Sequence, residues 1–100
     1  MNGHTRKLLT IVTEAAIEGI LLEDLQRLGA HGYTITDARG RGARGVRNSA
    51  WEASGNIRVE VVCDAATAEK IIAHLHANYY ANYAMILFVS DVVVLRPEKF

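Results

Sequence analysis

Cysteine is nearly absent: Cys63 stands alone among the 100 residues, so no disulfide can close within the chain, and a reducing compartment suits it. No run of the sequence approaches the ~20 apolar residues of a membrane span. The opening residues, Met1 to Lys7, lead straight into a predicted strand and leave no room for a secretory leader; the expected location is the cytoplasm. Net charge is missing too, because eleven Lys and Arg cancel eleven Asp and Glu. That neutrality argues against a general nucleic-acid binder, whose domain would be basic overall. What the chain does have is apolar substance. Half of its residues are hydrophobic, ample for one core and an argument against disorder, and residues 1–100 read as a single domain.

The basic residues are not spread evenly. Arg39, Arg41, Arg44 and Arg47 fall in one stretch, interleaved with Gly40, Gly42 and Gly45 and uninterrupted by any acid. Glycines let backbone N–H groups turn toward an anion, and arginines add forked, permanently charged donors. The stretch therefore points to a phosphate-gripping loop, about 39–56, that changes shape when it closes. Two familiar phosphate motifs fail here. Gly40-x-Gly42-x-x-Gly45 follows a strand, but no helix follows Gly45 and only eleven residues precede the next strand, too few for a right-handed crossover. Gly40 and Gly45 have P-loop spacing, yet Val46-Arg47 replaces the required Lys-Ser or Lys-Thr.

On either side of the loop the chain divides into two similar halves. Lys7–Thr13 is a short β-branched strand, expected to be covered on both faces, and Thr13 is placed to cap the following helix. Ile17, Leu21, Leu25 and Leu28 recur at helical spacing, with Ile20 and Leu22 widening the stripe, Asp24 weakening it, and Gly29 and Gly32 ending it. Tyr33–Thr36 resumes strand chemistry. After the loop, Ile57, Val59 and Val61 alternate cleanly, and Asp64 precedes a second helix that buries Ala68, Ile71, Ile72, Leu75 and Tyr79. Ile86–Val89 is an apolar strand, and Val92–Leu95, beyond Ser90-Asp91, reads as a separate short terminal strand. The order predicts an α+β, ferredoxin-like βαββαβ sandwich with both helices on one face of an antiparallel sheet. The other face is too apolar for water, so a closed homo-oligomer is expected, with ligand clefts between subunits.

With these elements in place, a family resemblance emerges. Leu25-Gln26-Arg27-Leu28-Gly29-Ala30-His31-Gly32-Tyr33-Thr34-Ile35-Thr36, running into Arg39-Gly40-Arg41-Gly42, resembles the helix, strand and T-loop start of PII signalling proteins, and Ile86–Val92 resembles their last long strand. Two features depart from ordinary PII proteins. Their Gly-Asp-Gly-Lys phosphate turn is replaced by Asn82-Tyr83-Ala84-Met85, and the loop is shorter and lacks their modifiable tyrosine. The chain is more similar to the PII-like branch linked to inorganic-carbon uptake and carboxysomes, through Gly40-Arg41-Gly42-Ala43-Arg44-Gly45-Val46-Arg47 and Tyr79-Tyr80-Ala81-Asn82-Tyr83-Ala84.

The resemblance implies a homotrimer that binds adenine nucleotides between subunits. In that reading Arg44 and Arg47 contact phosphate, the Gly40, Gly42 and Ala43 backbone lines the pocket, and Thr34 lies near the adenine edge. Met85, Ile86 and Leu87 form an apolar wall supplied by a neighbouring subunit. Loss of the lysine favours ADP or AMP over ATP, with cyclic AMP a further candidate and Arg96 a partial replacement for the charge. Bicarbonate is an expected second ligand, and the cytoplasmic face of a bicarbonate transporter an expected partner. The chain is then a signalling protein and not an enzyme.

Other readings remain open at this stage. The Arg-Gly loop could bind single-stranded RNA, with Trp51 alone available for stacking, or a subunit cleft could host an enzyme. Trp51 is equally a partner-docking handle or a packing residue on the sheet rim. His74 and His76 are two apart on a helix and make a poor metal pair. Asp37, Glu52 and Glu60 are not placed around one pocket, and no nucleophile–base pairing points to catalysis.

Overall fold

The computed structural model describes residues 3–40 and 55–100. Its longest strand is β1 (His4–Glu14), followed by one 3-10 turn and α1 (Glu18–Arg27), then β2 (Thr34–Asp37), β3 (Asn56–Cys63), α2 (Ala65–Asn78) and β4 (Met85–Val94). The strands form one sheet in the order β2-β3-β1-β4, and every neighbouring pair is antiparallel. This is the ferredoxin-like arrangement that the element order implies.

Residues paired directly across an antiparallel ladder share a face, so the register sorts every strand side chain. Leu9 and Ile11 of β1, with Ile57, Val59, Val61 and Cys63 of β3, face the helices and are buried. Ile17, Leu21 and Leu25 come down from the first helical segment, and Ala68, Ile71, Leu75 and Tyr79 from α2 and its C-cap. Ile72 is half-buried at the rim of this core. Ile20 does not widen the α1 stripe: it is 49% exposed on the outer side of the helix.

Local chemistry fixes the helix ends. Asp64 accepts a 2.8 Å hydrogen bond from the backbone N–H of Thr67 at the start of α2, the N-cap arrangement. Helix α1 stops at Gly29, whose φ of +107° suits glycine; Gly29 N–H bonds Gln26 O at 3.1 Å and Ala30 N–H bonds Leu25 O at 2.9 Å. The two bonds make a Schellman ending. Thr13 caps nothing. It lies in β1, fully buried, and its hydroxyl donates to Ala84 O at 3.0 Å.

Two further expectations give way to tertiary pairing. Val92–Val94 is not a separate terminal strand but the continuation of β4 through Ser90 and Asp91. These polar residues stay extended because Ser90 pairs with Leu8 and Asp91 with Lys7, whose ammonium it meets at 2.6 Å. The last residues form a 3-10 turn, Pro97–Lys99. Nor is β1 covered on both faces within the chain: Leu8 and Val12 are only half-buried on the side away from the helices.

Candidate functional site

One row of residues runs across all four strands: Asp37 of β2, Ile57 of β3, Thr13 of β1 and Met85 of β4. Just beyond this row lie both feet of the glycine–arginine loop. The first foot is tied down by Ala38 N–H donating to Asn56 O at 3.1 Å, and the second by Ala15 N–H donating to Gly55 O. The segment leading into β4 ends at the same place. Ala84 is held from both sides, its carbonyl by the Thr13 hydroxyl and its N–H by Glu14 Oε2 at 2.9 Å. Loop feet, β1 terminus and β4 start therefore form one rigid rim.

The sequence-predicted residues distribute around this rim as follows. Gly40 lies past the end of β2, on the first foot. A Cβ built there meets no atom within 4 Å and its φ is not positive, so neither packing nor backbone conformation within the described residues requires glycine. Met85 and Leu87 pair with Thr13 and Ile11, face the helices and pack on the core. Of the three proposed wall residues, only Ile86 presents its side chain to the open face, where it is 46% exposed beside the 52%-exposed Phe88. Thr34 is also exposed on the open face, but on β2 at the far edge of the sheet. Three strand spacings of about 4.8 Å put the two edges roughly 14 Å apart. Gly42, Ala43, Arg44, Arg47, Glu52 and Trp51 lie outside the described residues.

The open face has two halves. Leu8, Val12, Ile86, Phe88 and Val92 make the β1–β4 half mainly apolar, with Thr10, Ser90 and Arg6 among them. On the β2–β3 half stand Thr34, Thr36 and the Arg58–Glu60 ion pair, 3.0 Å apart. Asp37 and Glu60 do not converge, since their pairing partners place them on opposite faces. Among the described residues no group of His, Cys, Asp and Glu could hold a metal ion, and no helix is long and apolar enough to cross a membrane.

A second polar cluster joins the helices, and sequence reading missed it. Asp24 on α1 accepts from the Tyr79 hydroxyl at 2.6 Å, and its Oδ2 also meets His74 Nε2 at 2.9 Å, while Arg27 donates to Oδ1 at 3.0 Å. Asn78 Nδ2 sits 3.1 Å from His74 Nδ1, which assigns the imidazole proton to Nε2. Burial disfavours the Asp24 charge, but the hydrogen bonds from Tyr79, His74 and Arg27 outweigh it and hold the carboxyl below the usual range. Burial and the Asp24 carboxylate together push the Tyr79 hydroxyl up. The signal was the acid itself: a carboxylate interrupting an apolar stripe requires partners on the facing element. Cys63, by contrast, is a core residue, its thiol pushed up to about 11 by burial and by the Asp64 charge.

The family model of nitrogen regulatory protein P-II matches residues 6–99. The chain belongs to the P-II family. A protein of Thermus thermophilus, described as a PII-like signalling protein, is 45% identical over 100% of this chain and 99% of its own, with a TM-score of 0.84. CPII from Thiomonas intermedia K12, a nitrogen regulatory PII-like protein solved with ADP, AMP and bicarbonate, is 24% identical over 99% of this chain and 96% of its own, also at 0.84. The B. subtilis GlnK–ATP complex shares the P-II fold at a TM-score of 0.62 and 14% identity, over 96% of both chains.

Proposed function

We propose that this P-II chain is a subunit of a signalling trimer that holds an adenine nucleotide, ADP or AMP, in the seam between two copies. The observation that carries this reading is the separation of the candidate residues onto opposite sheet edges. Thr34 and the first loop foot belong to the β2 edge, and Ile86 to the β4 edge. One chain cannot close both around a single base, whereas two adjoining copies can. The exposed Ile86 and Phe88 give that neighbour an apolar surface to cover. Gly40, which the described residues do not require to be glycine, leaves space for close approach of a ligand.

In this account Arg44 and Arg47 grip phosphate, and the loop from about 39 to 56 orders around it. The ligand shifts the loop between two states only by binding one of them better. A partner then reads the ordered loop. That CPII was solved with ADP, AMP and bicarbonate supports inorganic carbon as the signal; the partner in this proposal is the cytoplasmic face of a bicarbonate transporter. The protein acts by binding, without turnover.

The test is calorimetry of ADP and AMP with wild type, Arg44→Ala and Arg47→Ala. Charge-assisted hydrogen bonds contribute about 1.5–3 kcal/mol each, so each substitution should weaken binding by roughly tenfold or more while the oligomer persists. Unchanged affinity in both variants contradicts the assignment. A thermal-shift series with bicarbonate added to ADP tests the second ligand: the melting temperature should rise beyond the value with ADP alone.

A further inference from the structure

We propose that Glu14 sets the number of phosphates the site accepts, acting as a fixed negative charge against a triphosphate; this rests on the nucleotide reading above. Glu14 is the last residue of β1, paired with Asn56 at the loop foot on one side and bonded to Ala84 N–H on the other. Half-buried Glu14 thus stands between the foot of the loop and the start of β4, bonded to Ala84, which lies two residues before Ile86.

Three consequences follow for a phosphate chain lying over the loop feet and the start of β4 of one copy, with its base against the neighbouring copy's Ile86. The Ala84 N–H already donates to Glu14 Oε2, so it offers no donor to a phosphate oxygen. The Ala84 carbonyl is anchored by the buried Thr13 hydroxyl, so the Ala84–Met85 peptide cannot turn over to present the Met85 N–H. Finally, the carboxylate is held in place by its own hydrogen bond and meets each added phosphate with like charge. The Asn56 and Gly55 carbonyls face Ala38 and Ala15 N–H. Of the charged groups at this end of the sheet, Arg58 lies one ladder step from Glu14 on the same face but is held by Glu60 at 3.0 Å, Arg39 stands on the first foot at the β2 edge, and Asp37 lies on the opposite face; among the described residues none of them pairs with Glu14. A like charge within about 5 Å at a protein surface disfavours binding by roughly tenfold or more.

Glu14→Gln tests this, because the amide oxygen still accepts from Ala84 N–H while the charge is gone. Calorimetry with AMP, ADP and ATP should show wild type holding ADP more tightly than ATP. In Glu14→Gln the ratio of ATP to AMP affinity should rise by about tenfold or more. An unchanged ratio, or equal weakening of all three ligands, overturns the charge role and leaves Glu14 as a structural tie. A wild-type protein that prefers ATP over ADP overturns it without any variant, whatever the folding of the Gln form. If wild type binds none of the three, the nucleotide reading itself fails, and the Glu14 role with it.

Discussion

Asp24 shows how one side chain can look like a flaw in a pattern and prove to be a joint. Its carboxylate takes hydrogen bonds from Tyr79, His74 and Arg27 and so ties the middle of α1 to the end of α2. Replacing it with Asn removes the charge that strengthens all three bonds and should cost about 1–3 kcal/mol in urea unfolding. The pH dependence follows from the direction of the shift. Folding holds the Asp24 carboxyl below its ordinary value of 3.8, so its contribution is present above that pH and is lost as pH falls through the lower folded value. Acid unfolding of Asp24→Asn should lack this component. Tyr79 is shifted the other way, so stability should decline above about pH 10, where the unfolded phenol ionises first. Tyr79→Phe should remove that alkaline loss and cost about 1–2 kcal/mol at neutral pH, read by chemical denaturation at the two pH values.

Secondary elements carry a different lesson about what a sequence displays. Where local chemistry decides, the reading was direct: alternation at Ile57, Val59 and Val61 gave β3, Asp64 announced α2, and Gly29 ended α1. Gly29→Ala is the test at this scale. A Cβ there meets Thr67 only at 3.7 Å, ordinary contact, so the cost comes from the φ of +107° and should be roughly 1–2 kcal/mol in thermal or urea melts. Where distant partners decide, the sequence was misleading. Ser90-Asp91 has the composition of a turn, yet Lys7 lies 84 positions away and keeps it in the ladder. Thr13 has the chemistry of a cap, yet its carbonyl acceptor belongs to Ala84, 71 positions on. The candidate site was legible as a basic, glycine-rich segment between two halves. Its rim was not, because Glu14 and Ala84 meet only after the sheet has formed.

For the whole molecule, the open sheet face is the decisive feature. Ile86 and Phe88 are about half exposed, with Leu8 and Val12 beside them, an arrangement a lone subunit would show to water. Phe88→Asp should put a charge in the middle of that surface and leave a folded monomer in sedimentation analysis, where wild type should run at three times the chain mass. A monomeric wild type would contradict the proposed assembly.

Whether two copies jointly hold the ligand is decided by subunit mixing. Arg47→Ala spoils the loop side of the seam and Ile86→Ser the wall side. Each variant alone should bind ADP poorly. Co-expressed and purified as mixed oligomers, they should recover tight binding at those seams that combine an intact loop from one chain with an intact wall from the other. Calorimetry should then count about one restored site per mixed trimer, whereas mixtures that bind no better than either variant alone would rule out a shared seam.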